Sequence, residues 1–466
     1  MSAPLFAPPG RGMAEEPGAL WRRLRGKTAL IVGFTARTGF SAAVRFHAHG
    51  IQARVSDHKD ASSLESLRAK LPDPSIPCFF GPQSPEQLAG VDFLLLSPGV
   101  PRNIPLVAAA VARGVPVYND VDFIAPFIAD KVLAGVTGTD GKTTTTELLA
   151  HVLSAVGPAV ACGNNGLPVF EAYERLRACR FAVLELSSYM LEDPKQLAPD
   201  LAVITNLAPD HLDRYAGMEA YGDAKRNLLR HAKPSCIYAQ NMDNAWTAGF
   251  APGGVQRRTF SRERPADYRF EGGAFAFPGG FRFPYGACLL KGVHNIENIL
   301  AVMALAEGAG MAPAEIAARV QSFPGLPHRL APVAVARPIQ VFNDSKATTL
   351  QAVHRALESF SVPVVLIAGG RGKGLDYREL GRHANLRSVV CYGEEGPRIA
   401  GMLAVADRPV IGDFREAVRA AWGRVREGEV LLLSPGCTSW DQHADYAERG
   451  RVFCDEIGRL DRGEIA

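Results

Sequence analysis

Residues 131–153, KVLAGVTGTDGKTTTTELLAHVL, constrain this chain more than any other stretch. An apolar run stops, a glycine-rich turn follows, and a lysine with four threonines opens a helical pattern. A strand that turns directly into a helix commits the segment to α/β layering. Gly138 and Gly141 let backbone N–H groups point into one cavity, and the helix from Lys142 adds its positive end. Both favour a phosphate. Lys142 supplies a movable positive charge, and the Thr143 hydroxyl can ligate Mg²⁺. A strict phosphate-loop pattern needs glycine where Val136 stands, so this is an abbreviated variant. A GTP switch would want Asn-Lys-x-Asp after a later strand, and the candidate, ITNLAPDHLD, lacks it. The plain alternative is a turn whose glycines serve geometry alone.

Strand-like runs alternate with helical patterns along the whole chain, which predicts parallel sheets. Residues 28–34, 53–57 and 92–99 form one series, with a helix over 39–50. A second series runs through 181–188, 201–206 and 235–241, and a third through 339–344, 362–370, 388–393 and 429–436. Residues 250–290 are rich in Gly, Phe and Arg with near-alternation, which predicts antiparallel hairpins forming an added β layer. A helix is predicted over 294–308, and FPGLPHRL (323–330) reads as a hinge. The expected architecture is α/β in three domains. These are a Rossmann-like N-terminal domain (20–120), a central phosphate-loop ATPase-like domain with the added antiparallel layer (121–325), and a C-terminal Rossmann-like domain (326–466). Residues 1–19 are expected to be a disordered tail, with Met13 as an alternative start.

Composition narrows the partners. A net charge of +3 is too small to argue for nucleic acid. The eight cysteines show neither a C-x-x-C pair nor zinc spacing, so they read as reduced thiols of a cytoplasmic protein. No apolar run approaches the roughly 18 residues of a membrane span, and the first residues lack a signal-peptide pattern.

A phosphate loop alone does not say where the phosphate goes. LELSSYMLE places Glu185 at a strand end, where a carboxylate can face a metal near phosphates. ITNLAPDHLDRY places His211 after the next strand, YGDAKRN places Lys225 on a helix, and KGVHNIENI places His294, Asn295 and Asn298 at the start of another. Singly, each has a plain alternative: a helix-capping carboxylate, a satisfied loop histidine, a solvated lysine. Their coherence points to a catalytic site.

These segments, with GNNGLP, LPHRL, NDSKATT and LSPGCTSWDQ, resemble the Mur ligase family over about residues 28–460. NDSKAT with SPGCTSWDQ suggests the D-glutamate-adding reaction, and no Asp-Asn-Pro-Arg-like element of the diaminopimelate- or lysine-adding ligase is found. The resemblance implies an ATP-dependent amide ligase of cytoplasmic peptidoglycan precursor synthesis, acting as a monomer. Its substrates would be UDP-N-acetylmuramoyl-L-alanine and D-glutamate. The L-alanine carboxylate attacks the γ-phosphate of ATP, giving an acyl phosphate, and the D-glutamate amine then displaces phosphate to form the amide. A carboxylate nearing a polyanion meets repulsion of roughly 4 kcal/mol per unit-charge pair at about 4 Å and an effective dielectric of 20. Cations must cancel it.

The resemblance also implies roles. Lys142, Glu185, His211, Lys225 and Lys346 are catalytic. ATP meets Gly138, Thr139, Asp140, Gly141, Lys142, Thr143 and Thr144, with Asn298 toward the base, Arg329 on phosphate and Asp344 on ribose. Two Mg²⁺ sites are implied, one near Thr143 and Glu185, the other near Glu185 and His211 with Lys225 carbamylated by CO₂. Arg37, Thr38, Asp57, Ser97, Gly99 and Asn165 face the UDP-sugar; Thr348, Lys373, Ser439, Trp440 and Tyr446 face the amino acid. Asp140 stands where the family commonly has Asn, and GFTARTGFS (33–41) is longer than its usual nucleotide turn. A related ligase using L-glutamate or another acceptor stays open. So does a non-enzymatic phosphate-loop nucleotide-binding module, which would have no use for Glu185, His211 and Lys225 together.

Overall fold

The computed structural model describes residues 5–6, 15–372 and 374–465. They carry a three-domain α/β fold organised on three sheets. The chain divides into two compact units, residues 1–283 with 297–319 and residues 284–296 with 320–466.

The first sheet has five strands in the order Cys78–Phe80, Gln52–Asp57, Thr28–Val32, Phe93–Leu96, Val117–Asn119, all parallel. Thr28–Val32 is buried at every residue, as a central strand covered on both faces should be. Strand order reverses between Thr28–Val32 and Phe93–Leu96, and in sheets of this kind ligands bind past the strand ends at such a switch point, here beyond Val32 and Leu96. The chain approaches this sheet differently from the expected disordered tail. Helix Pro17–Leu24 starts at a proline and is capped by Glu16, whose carboxylate accepts from Gly18 N and Ala19 N. Ahead of it, Leu5 and Phe6 are buried in the aromatic core.

The second sheet has nine strands, with Val132–Thr137 between Leu201–Ile204 and Phe181–Glu185. The expected antiparallel layer is an extension of this same sheet. Gln256–Ser261 runs parallel to Ile237–Asn241, Tyr268–Glu271 runs parallel to Gln256–Ser261, and Tyr268–Glu271 pairs antiparallel with Ala274–Ala276. Alternating aromatics specify which face of a strand is buried; they carry no information on direction.

The third sheet orders Ala331–Val333, Gln340–Asn343, Val430–Gly436, Val364–Gly369, Leu386–Tyr392 and Val410–Ile411. Only Ala331–Val333 is antiparallel to its neighbour. It begins directly after His328 and Leu330, two non-glycine residues at positive φ (63° and 46°) within the predicted hinge.

Candidate active site

The phosphate loop takes its shape from what packs beneath it. Gly138 has φ 143°, and a Cβ there would lie 1.9 Å from Thr205 Oγ1. Gly141 has φ 79°, and a Cβ there would lie 2.3 Å from Asn298 Oδ1. Both positions require glycine for space as well as for backbone angle. Thr205 Oγ1 donates to Asp140 O (2.6 Å), and Asp140 N donates to Asn206 Oδ1 (2.9 Å). The backbone of Asp140 is thus clamped while the residue itself is exposed. Thr145 Oγ1 donates to Asn298 Oδ1 (3.1 Å), tying Asn298 to the loop's own helix, Lys142–Leu153. Thr144 is buried and Thr143 half-buried at the start of that helix.

Two amines converge on one carbonyl. Lys142 Nζ donates to Gly138 O (3.1 Å) and Thr139 O (2.7 Å), and Lys225 Nζ donates to the same Gly138 O (2.8 Å). Lys225 is 2% exposed on helix Met218–Arg226. Burial, and then the charge of Lys142, push its amine down to about 7. Its Nζ also lies 4.7 Å from the ring centroid of Tyr221, whose hydroxyl is 3.2 Å from Thr139 Oγ1.

Glu185 ends strand Phe181–Glu185 and is 2% exposed. Its Oε1 accepts from Asn164 Nδ2 (3.0 Å). Its Oε2 is buried with no hydrogen-bond partner among the described residues. A carboxylate oxygen in that state is costly unless a cation meets it. His211 sits at φ 53°, with Nδ1 2.8 Å from the Tyr189 hydroxyl and Nε2 3.4 Å from Asp210 Oδ2. Among the described residues no group of three or more His, Cys, Asp and Glu side chains closes around a metal.

Asn165 donates from Nδ2 to Glu147 Oε1 (2.7 Å) on helix Lys142–Leu153 and accepts from Leu167 N (3.3 Å) within its own turn, so both ends of its amide are engaged. In the first domain, Asp57 accepts from Phe34 N (2.7 Å) and Lys59 N (3.0 Å), and Ser97 Oγ donates to Gly33 O (2.6 Å). Thr38 Oγ1 donates to Asp120 Oδ2 (3.1 Å), and Arg37 is exposed just before helix Thr38–Ala48. Gly99, at φ 94°, accepts through its carbonyl from Arg214 Nη1 (3.1 Å). These residues gather at the switch point, and Asp57 and Ser97 shape the turn there by holding its backbone.

The second unit holds the remaining predicted residues. Asp344 accepts from Leu330 N (3.1 Å) and Ser434 Oγ (2.8 Å), and burial pushes its carboxyl up to about 7. Arg329 lies between the two positive-φ residues His328 and Leu330. Lys346 Nζ is 5.1 Å from the ring centroid of Tyr446, Ser439 is buried, Thr348 is half-buried and Trp440 is 64% exposed. His294 and Asn295 belong to this unit, with Asn295 Nδ2 donating to Lys291 O (2.6 Å). Lys373 lies outside the described residues.

Sequence reading missed Asn164, Tyr221, Thr205 and Asn206. Asn164 and Tyr221 carried a signal: the doubled asparagine of GNNGLP, and tyrosine four residues before Lys225 on one helix face.

Three family models match in chain order: the Mur ligase MurD-like N-terminal domain over residues 27–119, the Mur ligase middle domain over 136–306 and the Mur ligase glutamate ligase domain over 328–437. A curated UDP-N-acetylmuramoylalanine–D-glutamate ligase of Koribacter versatilis is 33% identical over 447 residues, covering 94% of this chain and 98% of that protein. The chain belongs to the Mur ligase family. The correspondingly named ligase of Desulfatibacillum aliphaticivorans is 35% identical over 449 residues, covering 94% and 99%. Solved structures share the fold. MurC of Thermotoga maritima aligns with a TM-score of 0.57 at 20% identity, covering 93% of this chain and 99% of that one. MurF of Acinetobacter baumannii aligns with 0.58 at 17%, covering 94% and 92%. The expected family, three-domain α/β class and ATP-dependent ligase chemistry all stand on these matches. Among the described residues no helix is long and apolar enough to cross a membrane.

Proposed function

We propose that the chain is a cytoplasmic, monomeric ligase that joins D-glutamate to UDP-N-acetylmuramoyl-L-alanine at the expense of ATP, in peptidoglycan precursor synthesis. Similarity to D-glutamate ligases along the full length supports the substrates. The observation that carries the chemistry is the pair of amines, Lys142 and Lys225, on Gly138 O, with Glu185 Oε2 buried and unmatched in the same domain.

The loop N–H groups and the Lys142–Leu153 helix end bind the ATP phosphates. Lys142 leaves its own loop carbonyls for the phosphate oxygens and offsets the charge of the incoming carboxylate. Thr143 with Glu185, and Glu185 with His211 and Lys225, fit two Mg²⁺ ions, because the orphaned Glu185 oxygen suits an oxygen-seeking cation. When bound, Mg²⁺ supplies charge neutralisation at the phosphates. Lys225 meets the need for a second anion as a carbamate: its neutral amine adds to CO₂, a C–N bond forms, and one proton leaves to solvent. A buried amine near pKa 7 is half neutral at that pH, whereas an ordinary lysine is almost entirely protonated. Arg329, Asp344 and Lys346 serve ATP and the reacting groups from the C-terminal domain, where Thr348, Lys373, Ser439, Trp440 and Tyr446 receive the amino acid. The acyl phosphate forms first, and the amine of D-glutamate attacks its carbonyl carbon with loss of phosphate.

The test is ADP release with UDP-N-acetylmuramoyl-L-alanine, with and without D-glutamate, and product mass from labelled D- and L-glutamate. Product carrying the D label alone is expected. Product from L-glutamate alone overturns the amino-acid assignment, and ADP release indifferent to both compounds overturns the ligase reading.

A further inference from the structure

Arg214, next but two after His211, makes four distinct interactions with one guanidinium. Nε and Nη2 form a fork on Glu192 (2.8 and 3.0 Å), Nη1 donates to Gly99 O (3.1 Å), and its face covers Tyr189 at 4.2 Å from the ring centroid. Tyr189 in turn places its hydroxyl 2.8 Å from His211 Nδ1. Glu192 is held further by the Tyr215 hydroxyl (3.1 Å). Gly99 belongs to the turn after strand Phe93–Leu96, at the switch point of the first domain.

The same stretch is gripped from the first domain and its exit at further points. Arg102 Nη1 donates to Asp193 Oδ2 (3.1 Å), Asn119 Nδ2 donates to Met190 O (2.7 Å), and Lys195 N and Gln196 N donate to Asp122 Oδ1 (2.8 and 2.5 Å). Residues 189–196 are therefore an adaptor between the two domains. The Arg214 side chain touches the first-domain turn, the adaptor and the ring that holds His211. A lysine could keep one of these contacts; it has neither the fork nor the planar face.

We propose that Arg214 is a positioning residue that couples the sugar-side turn at Gly99 to the orientation of the His211 ring through Tyr189. The metal role of His211 rests on the function proposed above; the tie itself does not. Fixing one ring nitrogen by an outer partner is how a protein sets which nitrogen meets a ligand. Occupancy of the first-domain turn and readiness of the His211 corner then share one rigid contact.

The test uses the full chain with Arg214→Lys, Tyr189→Phe and the double substitution. Readouts are Mn²⁺ binding by electron paramagnetic resonance with ADP present, the KM values for both substrates, and amide exchange in residues 97–103. Tyr189→Phe should weaken Mn²⁺ about tenfold, the lower end for an outer partner of a ligand, and leave the KM for the UDP-sugar unchanged. Arg214→Lys should raise that KM and weaken Mn²⁺ by a similar factor, with the KM for D-glutamate unmoved. Adding Tyr189→Phe to Arg214→Lys should weaken Mn²⁺ little further, since residues acting through one contact are non-additive. Independent, multiplying effects on Mn²⁺ overturn the coupling, as does unchanged Mn²⁺ binding in Arg214→Lys. Faster exchange at 97–103 in substrate-free Arg214→Lys supports the tie without any ligand, and unchanged exchange overturns it. Absence of turnover in the unsubstituted enzyme overturns the proposed function and leaves the exchange result standing.

Discussion

Gly138 O accepts from two lysines at once, and each makes its own prediction. Lys142→Ala removes the charge that offsets an approaching carboxylate. Losing about 4 kcal/mol of compensation corresponds to roughly a thousandfold in turnover. Steady-state ADP release checks this, and near-normal rates would show that Lys142 is not on the phosphate. Lys225 predicts a pH effect whose sign is fixed by burial. Its amine is lowered to about 7, so it is ammonium below that value and free to take CO₂ above it. At a fixed concentration of dissolved CO₂, activity after its removal should return faster at pH 8 than at pH 6, and Lys225→Ala should lose the CO₂ response. Short carboxylic acids should partly restore the Lys225→Ala variant by supplying the missing anion; full activity without them excludes the carbamate. At this scale the sequence showed by type the residues proposed for the chemistry: an amine, a carboxylate and an imidazole stand out in motifs. It did not show those that do their work by hydrogen bonding alone. Asn164, which takes one Glu185 oxygen and leaves the other unmatched, is an ordinary loop residue until the fold brings it across from residue 185.

At the scale of elements, the turn from Val132–Thr137 into Lys142–Leu153 was legible because glycine spacing, a helix start and a preceding apolar run agree. What was hidden is the support beneath it. Thr205 and Asn206 follow a different strand, Leu201–Ile204, and meet the loop only because that strand is the neighbour of Val132–Thr137. Gly138→Ala tests that support. Its Cβ would fall 1.9 Å from Thr205 Oγ1 at a φ of 143°, so either the loop or the strand end must shift. Strain of about 1–3 kcal/mol is expected, seen as a lower melting temperature and weaker ATP binding by calorimetry. Combining it with Thr205→Ala, which removes the clashing hydroxyl, should recover part of the melting temperature. Strand direction over 256–276 was equally hidden, since alternation of Phe and polar residues is the same for parallel and antiparallel neighbours.

For the whole molecule, three separate strand series gave three sheets, and the joints between them were what periodicity could not reach. The joint between the first two sheets is aromatic. Trp21 Nε1 donates to the Tyr173 hydroxyl (2.7 Å), and His49 stacks on the Trp21 ring at 4.0 Å. Phe6 packs at 5.4–6.0 Å from the rings of Tyr118, Phe123 and Phe127. Leu5 and Phe6 lie in a stretch whose prolines and glycines read as tail, because two apolar residues have no period to detect. Starting the chain at Met13 removes both side chains from this core. Each buried side chain of that size contributes about 1.5–3 kcal/mol, so the truncated protein should lose several kcal/mol from the first unit alone. Calorimetry should show the transition of the first unit moving down by several degrees while that of the second unit stays in place. Two single substitutions separate the causes: Phe6→Ala should reproduce most of the shift, and Trp21→Phe, which keeps the ring but loses the bond to Tyr173, should give a smaller one. An unmoved first transition in all three proteins would mean that the aromatic joint is stable without residues 5 and 6, and that they cover a core already complete.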